Sequence, residues 1–556
     1  MSDGSNVFEK PSVERLATGG TYVLVFSLLA GLLGWAFMAV ASQEGIGVGG
    51  DLSGYMISAT AFHVIGICIS AGFHQGLSKY ISEALVESKE KALTYAKAGF
   101  FIFNIIGIIL FSIFITLAIL IFPYQWEYGL FFGIIAVVYY LTFFKDNFVG
   151  NLAAVHRFDY IGKLVFLAGI GSVIFAFGLL FLLPEPINAY LLPLSIIINL
   201  IIQIFLVFYY TKKVVPYSFS SIFKGARRKE IFQIAKYGLY CTIPSIIFSG
   251  AILTIQNYYY IGIFGIEEFF VTAIGLIIGY ASIVFSVCQF GWPQIPAVSE
   301  AKAMNDYKLI DDYMKNTLHT GFNLSSFFLI IYVGLSHVLL HLFHGPTYLE
   351  VQIPFIILSI SVVLLGMEFL ICTLLMGLGE GKRAVFLIIS LTLIQIIFVP
   401  IALFILRNNF GPDSPLTLYA GPTILLISSI AIFPLAFHYL KTYTNNPVKE
   451  YTDIFWKGIV SICLTFVCYE ILELTLFSFD NLVVSLVVRA VILFCLFTIF
   501  MLIFAGYNDA DLDVYEGVLG PLRFIVNGMR WLLHHSPFYE SENGENNVIT
   551  TANEVG

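Results

Sequence analysis

Long apolar stretches alternate with short polar loops along the chain as far as about residue 506. A helix needs about 20 apolar residues to cross the hydrocarbon core of a bilayer. In lipid it is favoured because it closes its own backbone hydrogen bonds. Fourteen such stretches are readable, at roughly 16–42, 53–80, 97–122, 128–150, 162–183, 188–211, 231–261, 267–293, 316–343, 352–377, 384–406, 417–440, 456–478 and 482–506. The pattern predicts an all-α, multi-pass membrane protein of about 14 spans. Several stretches exceed the bilayer and are expected to tilt or protrude. The first is not read as a signal peptide: polar residues precede it, it outruns an apolar signal core, and no small-residue cleavage site follows.

Composition strengthens this reading. Of 556 residues, 58% are hydrophobic and only 12% charged, against roughly 25% charged in globular domains. So little charge cannot solvate a soluble surface of this size, which excludes a soluble enzyme, a disordered chain and a nucleic-acid binder. The seven cysteines fall in or beside spans without a CxxC pair. They read as small core hydrophobes, with no disulfide, metal site or cofactor expected. There is no Walker A signature, no redox, haem or zinc motif, and the outer loops are too short for a catalytic domain. A non-enzyme is expected.

Sorted by loop, 26 of the 28 Lys and Arg residues fall on one side of the membrane, and only Arg407 and Arg489 on the other. By the positive-inside rule this puts both termini in the cytoplasm of a cell-membrane protein. The net charge of −8 resides mostly in residues 507–556, which carry eight acids against two arginines. Within that tail, Pro521 opens a helix with Leu522, Ile525, Val526, Met529, Leu532 and Leu533 on one face and Arg523, Asn527, Arg530 and His534 on the other. It is expected to lie on the inner leaflet, with polar residues 538–556 disordered after it.

A repeat is hidden in the chain. Gly72-Phe-His-Gln75 ends the second span and Gly291-Trp-Pro-Gln294 the eighth. Ser82-Glu83-Ala84 and Ser299-Glu300-Ala301 follow, then a charged connector, then a span carrying Gly99 and Asn104 or Gly321 and Asn323. The offset stays between 217 and 222 residues. Six spans per repeat is an even number, so the halves share orientation about an axis along the membrane normal, a transporter plan. The expected organisation is a half at 1–211, a basic linker at 212–230, a second half at 231–440, an appended hairpin at 454–506 and the tail.

The Gly-bearing second span running into Leu77-Ser-Lys-Tyr-Ile-Ser-Glu83, and the turn Gly377-Leu-Gly-Glu-Gly-Lys382, resemble the polysaccharide-biosynthesis branch of the multidrug/oligosaccharidyl-lipid/polysaccharide (MOP) exporter superfamily. The six-plus-six-plus-two layout is similar to that branch, whereas its drug-exporting cousins have twelve spans. The resemblance covers about residues 12–506. It implies a flippase that moves lipid-linked oligosaccharide or polysaccharide precursors to the outer leaflet by alternating access. The alternative within the superfamily is a cation-coupled drug or metabolite exporter. Implied partners are a lipid-linked glycan, membrane lipids and glycan-assembly enzymes, with no nucleic acid.

Ionisable groups inside spans are costly and therefore candidates for function. Lys145 and Asp146 lie late in span four. Lys145 is the one strong candidate to meet a phosphate, or it is an interfacial lysine neutralised by Asp146. His63 and His74 share a face of span two, with Gln75 beside them and Lys79 beyond. They form either a cavity stripe or helix-to-helix hydrogen bonds. Gln256 and Asn257 stand near the outer end of span seven, beside an aromatic belt. Gln289, Trp292 and Gln294 close span eight, where Pro293 and Pro296 should break the helix. Glu368, deep in span ten, is a candidate for a coupling ion or a structural carboxyl. Arg489 is positioned to pair with Glu470 or Glu473 across the last hairpin. His337, His341 and His344 share a face, read as packing rather than metal binding. No Arg lies deep in the first twelve spans, so a sugar cargo must be recognised mainly by neutral polar and aromatic groups.

Overall fold

A computed structural model of the chain describes residues 52–182, 191–247, 291–411, 414–444, 448–476, 482–509, 511–512 and 523–539. Gln256, Asn257, Gln289 and the first span lie outside these residues, as does the side chain of His63. The described chain is helical throughout and contains no strand. Its helices are α1 (Leu52–Glu87), α2 (Lys89–Ile121), α3 (Trp126–Ala154), α4 (Phe158–Leu182), α5 (Leu191–Val214), α6 (Arg228–Ile246), α7 (Gln294–Ala303), α8 (Tyr307–Gly334), α9 (Ser336–His344), α10 (Gln352–Gly377), α11 (Gly381–Phe410), α12 (Ala420–Lys441), α13 (Val448–Leu476), α14 (Leu482–Ile503) and α15 (Arg523–His534). Among the described residues nine helices are long and apolar enough to cross a membrane. This is a multi-pass membrane protein.

The chain forms two compact units, one from described residues within 1–321 and 347–446, the other from 322–346 and 447–556. In the first, α1 is enclosed by α2, α3, α6 and α7. The α1–α6 crossing is close because it is made of glycines: a Cβ on Gly72 would fall 2.3 Å from the Thr242 backbone, and one on Gly76 3.1 Å from Gly238. Helices approach this closely in membranes by presenting small residues. α10 is the buried centre of the C-terminal part of this unit, with every residue from Leu365 to Leu378 buried. α11, by contrast, turns Phe386, Leu393, Ile397 and Phe404 outward, where the solvent is lipid.

Two features differ from the sequence expectation. The connector after span two is no separate element: α1 runs on to Glu87 and α2 starts at Lys89, with only Ser88 between. Ser88 caps α2 by accepting from the Lys91 amide at 3.2 Å. Asp306 does the same for α8 at Leu309, 218 residues later, which matches the repeat offset. Span nine is broken, since α8 and α9 meet at Leu335 with a bend of 64°. Gly334 there admits Leu493, whose Cδ1 would lie 2.6 Å from a Cβ.

In the second unit α13 packs against α14, and Arg489 pairs with Glu473 at 2.7 Å. Phe322, Gly458, Asn323 and Gly506 tie α8 to it. α15 buries Val526 and Leu533 and exposes Phe524 and Trp531, so both faces of the tail helix carry apolar groups.

Candidate functional site

The polar residues singled out on α1 do converge with others. His74 meets Trp292 edge-on with ring centroids 5.3 Å apart, and Lys145 and Asp146 are its electrostatic neighbours. Lys145 and Asp146 pair at 2.9 Å. Gln75, Asn147 and Gln294 are buried, and the Gln75 and Asn147 amides and Gln294 Oε1 have no hydrogen-bond partner among the described residues. A buried polar group without a partner costs about 1–3 kcal/mol, so these atoms are costly ones to bury. Trp292 belongs to the turn at Gly291–Pro293, and α7 starts at Gln294. Pro293 is the residue just before α7, while Pro296 lies inside its first turn, where amides have no helical partner, and does not break it.

α3, α7 and α10 each end in the same closure, with a residue at positive φ just past the helix: His156 (φ 56°), Asn305 (φ 59°) and Gly379 (φ 84°). In each, the next amide reaches back to the third-last carbonyl, from Arg157 to Leu152, Asp306 to Ala301 and Glu380 to Leu375. The turn after α10 is the hub. Tyr237 of α6 donates to the Met376 carbonyl, Ser299 of α7 to Gly377 at 2.9 Å and Lys302 to Leu378 at 2.5 Å. A Cβ on Gly379 would lie 3.7 Å from Lys302 Nζ and 3.9 Å from Lys79 Cε. Lys79 itself pairs with Glu83 at 2.5 Å and lies over the rings of Tyr80 and Tyr237. His156 Nε2 meets Glu300 Oε2 at 2.5 Å.

Lys79 therefore stands where α1 meets α6 and the turn after α10, rather than beside His74. Sequence reading missed His156, Tyr237, Glu300 and Lys302. The signal for Glu300 was present in the repeated Ser-Glu-Ala, where Glu83 and Glu300 each hold a basic partner. Glu368 lies on α10, 1% exposed, with neither oxygen hydrogen-bonded among the described residues and Cys372 one turn on. Among the described residues no cluster of His, Cys, Asp or Glu could hold a metal; the His344 side chain lies outside them.

No protein-family model matches the chain, and no curated protein matches it. Solved structures do. An outward-facing multidrug-resistance MATE family transporter of the MOP superfamily is similar over 78% of this chain and 98% of its own, with a TM-score of 0.63 at 13% identity. A variant of the Vibrio cholerae MATE transporter VcmN matches 78% of this chain and 99% of its own, with a TM-score of 0.60 at 15% identity. The eukaryotic MATE transporter AtDTX14 matches 77% and 97%, with a TM-score of 0.59 at 13% identity. Likeness at such low identity speaks to architecture, and on that ground the chain has the fold of the MATE transporters of the MOP superfamily.

Proposed function

We propose that this protein is an alternating-access exporter whose cargo path includes the polar layer around His74 and Trp292. The observation that carries this reading is a group of buried neutral polar side chains near a network of cross-helix contacts, which we read as a seal on the cargo path. The seal joins α1, α3, α6, α7 and the α10–α11 turn. The repeat read from the sequence puts α1–α5 in one half and α6–α12 in the other, so the seal closes between halves. Breaking it by rocking one half against the other exposes the layer to the opposite side. The charge asymmetry assigns the sealed side to the cytoplasm.

For cargo we favour the glycan head of a lipid-linked oligosaccharide. Trp292 offers an aromatic face for sugar rings, and Gln75, Asn147 and Gln294 offer neutral hydrogen bonds. Lys145 stands beside them as the cation for a phosphate. The fourteen apolar stretches read from the sequence and the resemblance of the Gly377–Lys382 turn support the same reading. The test is lipid extraction from a deletion strain. Accumulated lipid-linked glycan on the cytoplasmic leaflet is the expected result. Normal surface glycan with no trapped precursor, in a strain lacking any second flippase, contradicts it.

A specific observation favours a second cargo class, drugs or metabolites exchanged for a cation. Glu368 is a buried carboxyl without a partner among the described residues, and such a group is costly to ionise unless it binds a counter-charge. The MATE fold of the structural neighbours points the same way. Loss of proton- or sodium-driven efflux from vesicles in Glu368→Gln, with no lipid-linked glycan trapped in the deletion strain, selects this reading.

A further inference from the structure

The segment joining α5 to α6 is not a slack tether. Phe219–Phe223 form a 3-10 turn with Ile222 fully buried. Phe219 and Phe223 pack on Phe208 and Phe148, and Phe223 reaches Phe100 with ring centroids 4.9 Å apart. Tyr217 donates to Asn151 at 2.6 Å, and Tyr95 to Gln233 at 3.0 Å. On this fixed base Lys212, Lys213, Lys224, Arg227, Arg228 and Lys229 are all exposed. None of the six side chains has an ion pair or hydrogen bond to a described residue. Three other cations of this half are paired with acids: Lys79 with Glu83, Lys91 with Glu87 and Arg157 with Asp159.

Helix stability does not account for the six. Lys212 and Lys213 suit the end of α5, but Arg227, Arg228 and Lys229 sit at the start of α6, where the backbone already presents positive charge. Phe223 is 42% exposed and Phe232 67% exposed in the same region. Fixed unpaired cations interleaved with outward phenylalanines match a surface that offers anionic phosphates above acyl chains.

We propose that the α5–α6 linker is a preformed binding platform for anionic phospholipids of the leaflet it faces. The cations engage the headgroup phosphates, and Phe223 and Phe232 enter the acyl boundary. Because the linker leads from the first six-helix half into the second, lipid bound there bears on both. The inference is independent of the cargo.

The test is native mass spectrometry of the full chain, offered equimolar phosphatidylglycerol and phosphatidylethanolamine. The wild type is expected to retain phosphatidylglycerol over phosphatidylethanolamine by about fivefold or more. That preference should fall with added salt, as exposed charge interactions do. The variant carrying K212Q, K213Q, K224Q, R227Q, R228Q and K229Q is expected to lose it. K308Q with K382Q and K441Q, which removes exposed cations elsewhere, is expected to keep it. The proposal is overturned by a salt-insensitive preference in the wild type, or by a folded six-site variant that keeps the preference. It is also overturned by the control variant losing the preference equally, or by a polyprenyl pyrophosphate displacing phosphatidylglycerol at equal concentration. The salt series decides even if the six-site variant does not fold.

Discussion

His156 and Glu300 stand 144 residues apart in sequence and touch at 2.5 Å, Nε2 to Oε2. His156 occupies the left-handed position past α3 at φ 56°, where glycine or asparagine is the ordinary choice. A histidine there gives up backbone comfort for reach. We expect His156→Asn to relax the backbone but lose the contact. The sealed state should weaken by about 1 kcal/mol, roughly fivefold in its population. Spin labels on the α3–α4 turn and on α7 measure this as a larger fraction of long distances, and Glu300→Gln should shift it the same way.

The α1–α6 crossing predicts a sharp glycine requirement. Gly72→Ala puts a methyl 2.3 Å from the Thr242 backbone and should destabilise the protein by about 1–3 kcal/mol. Gly225→Ala meets nothing within 4 Å and should leave the melting temperature unchanged. Thermal unfolding in detergent compares the two.

At the last hairpin, Arg489 is mostly buried against Glu473, and its Nε has no partner. Removing one member strands the other, a loss of about 3–5 kcal/mol for a fully buried pair and less here because Glu473 is a third exposed. Glu473→Gln should therefore lower thermal stability, and adding Arg489→Leu should restore part of it. A double-mutant cycle gives the coupling.

The hydrophobic pattern and charge asymmetry already specified an all-helical membrane chain, because both follow from the cost of polar groups in lipid. Gln75, His74, Asp146, Trp292 and Gln294 could be chosen because helical spacing and proline placement are local. The break at Leu335 was not legible, since Gly334 serves a side chain of α14 rather than any local signal. His156 could not be found either. Its conformation depends on a helix closure, and its partner is brought near only by tertiary packing.

Acid should release the tail. Asp509 accepts from Tyr539 at 2.6 Å and His534 at 3.0 Å, with Arg530 at 3.7 Å. Burial acts to raise its carboxyl, but those bonds and the neighbouring positive charges outweigh it and leave the carboxyl below the usual range. A depressed carboxyl stabilises the docked tail above its unfolded value of about 3.9. That stabilisation is lost as the pH falls through the lower folded value. Hydrogen exchange over 523–534 should accelerate below about pH 4, and Asp509→Asn should show the faster exchange already at neutral pH.

The most direct test of the exporter reading is transport by the purified full chain in proteoliposomes. The assay offers a lipid-linked oligosaccharide and, separately, cationic drugs under an ion gradient. A bismaleimide cross-link between cysteines at 156 and 300, in a background without the native cysteines, holds the seal shut. The account predicts movement of one cargo class well above empty liposomes, stopped by the cross-link and restored by omitting the linker. Transport of neither class, or transport indifferent to the cross-link, would contradict it.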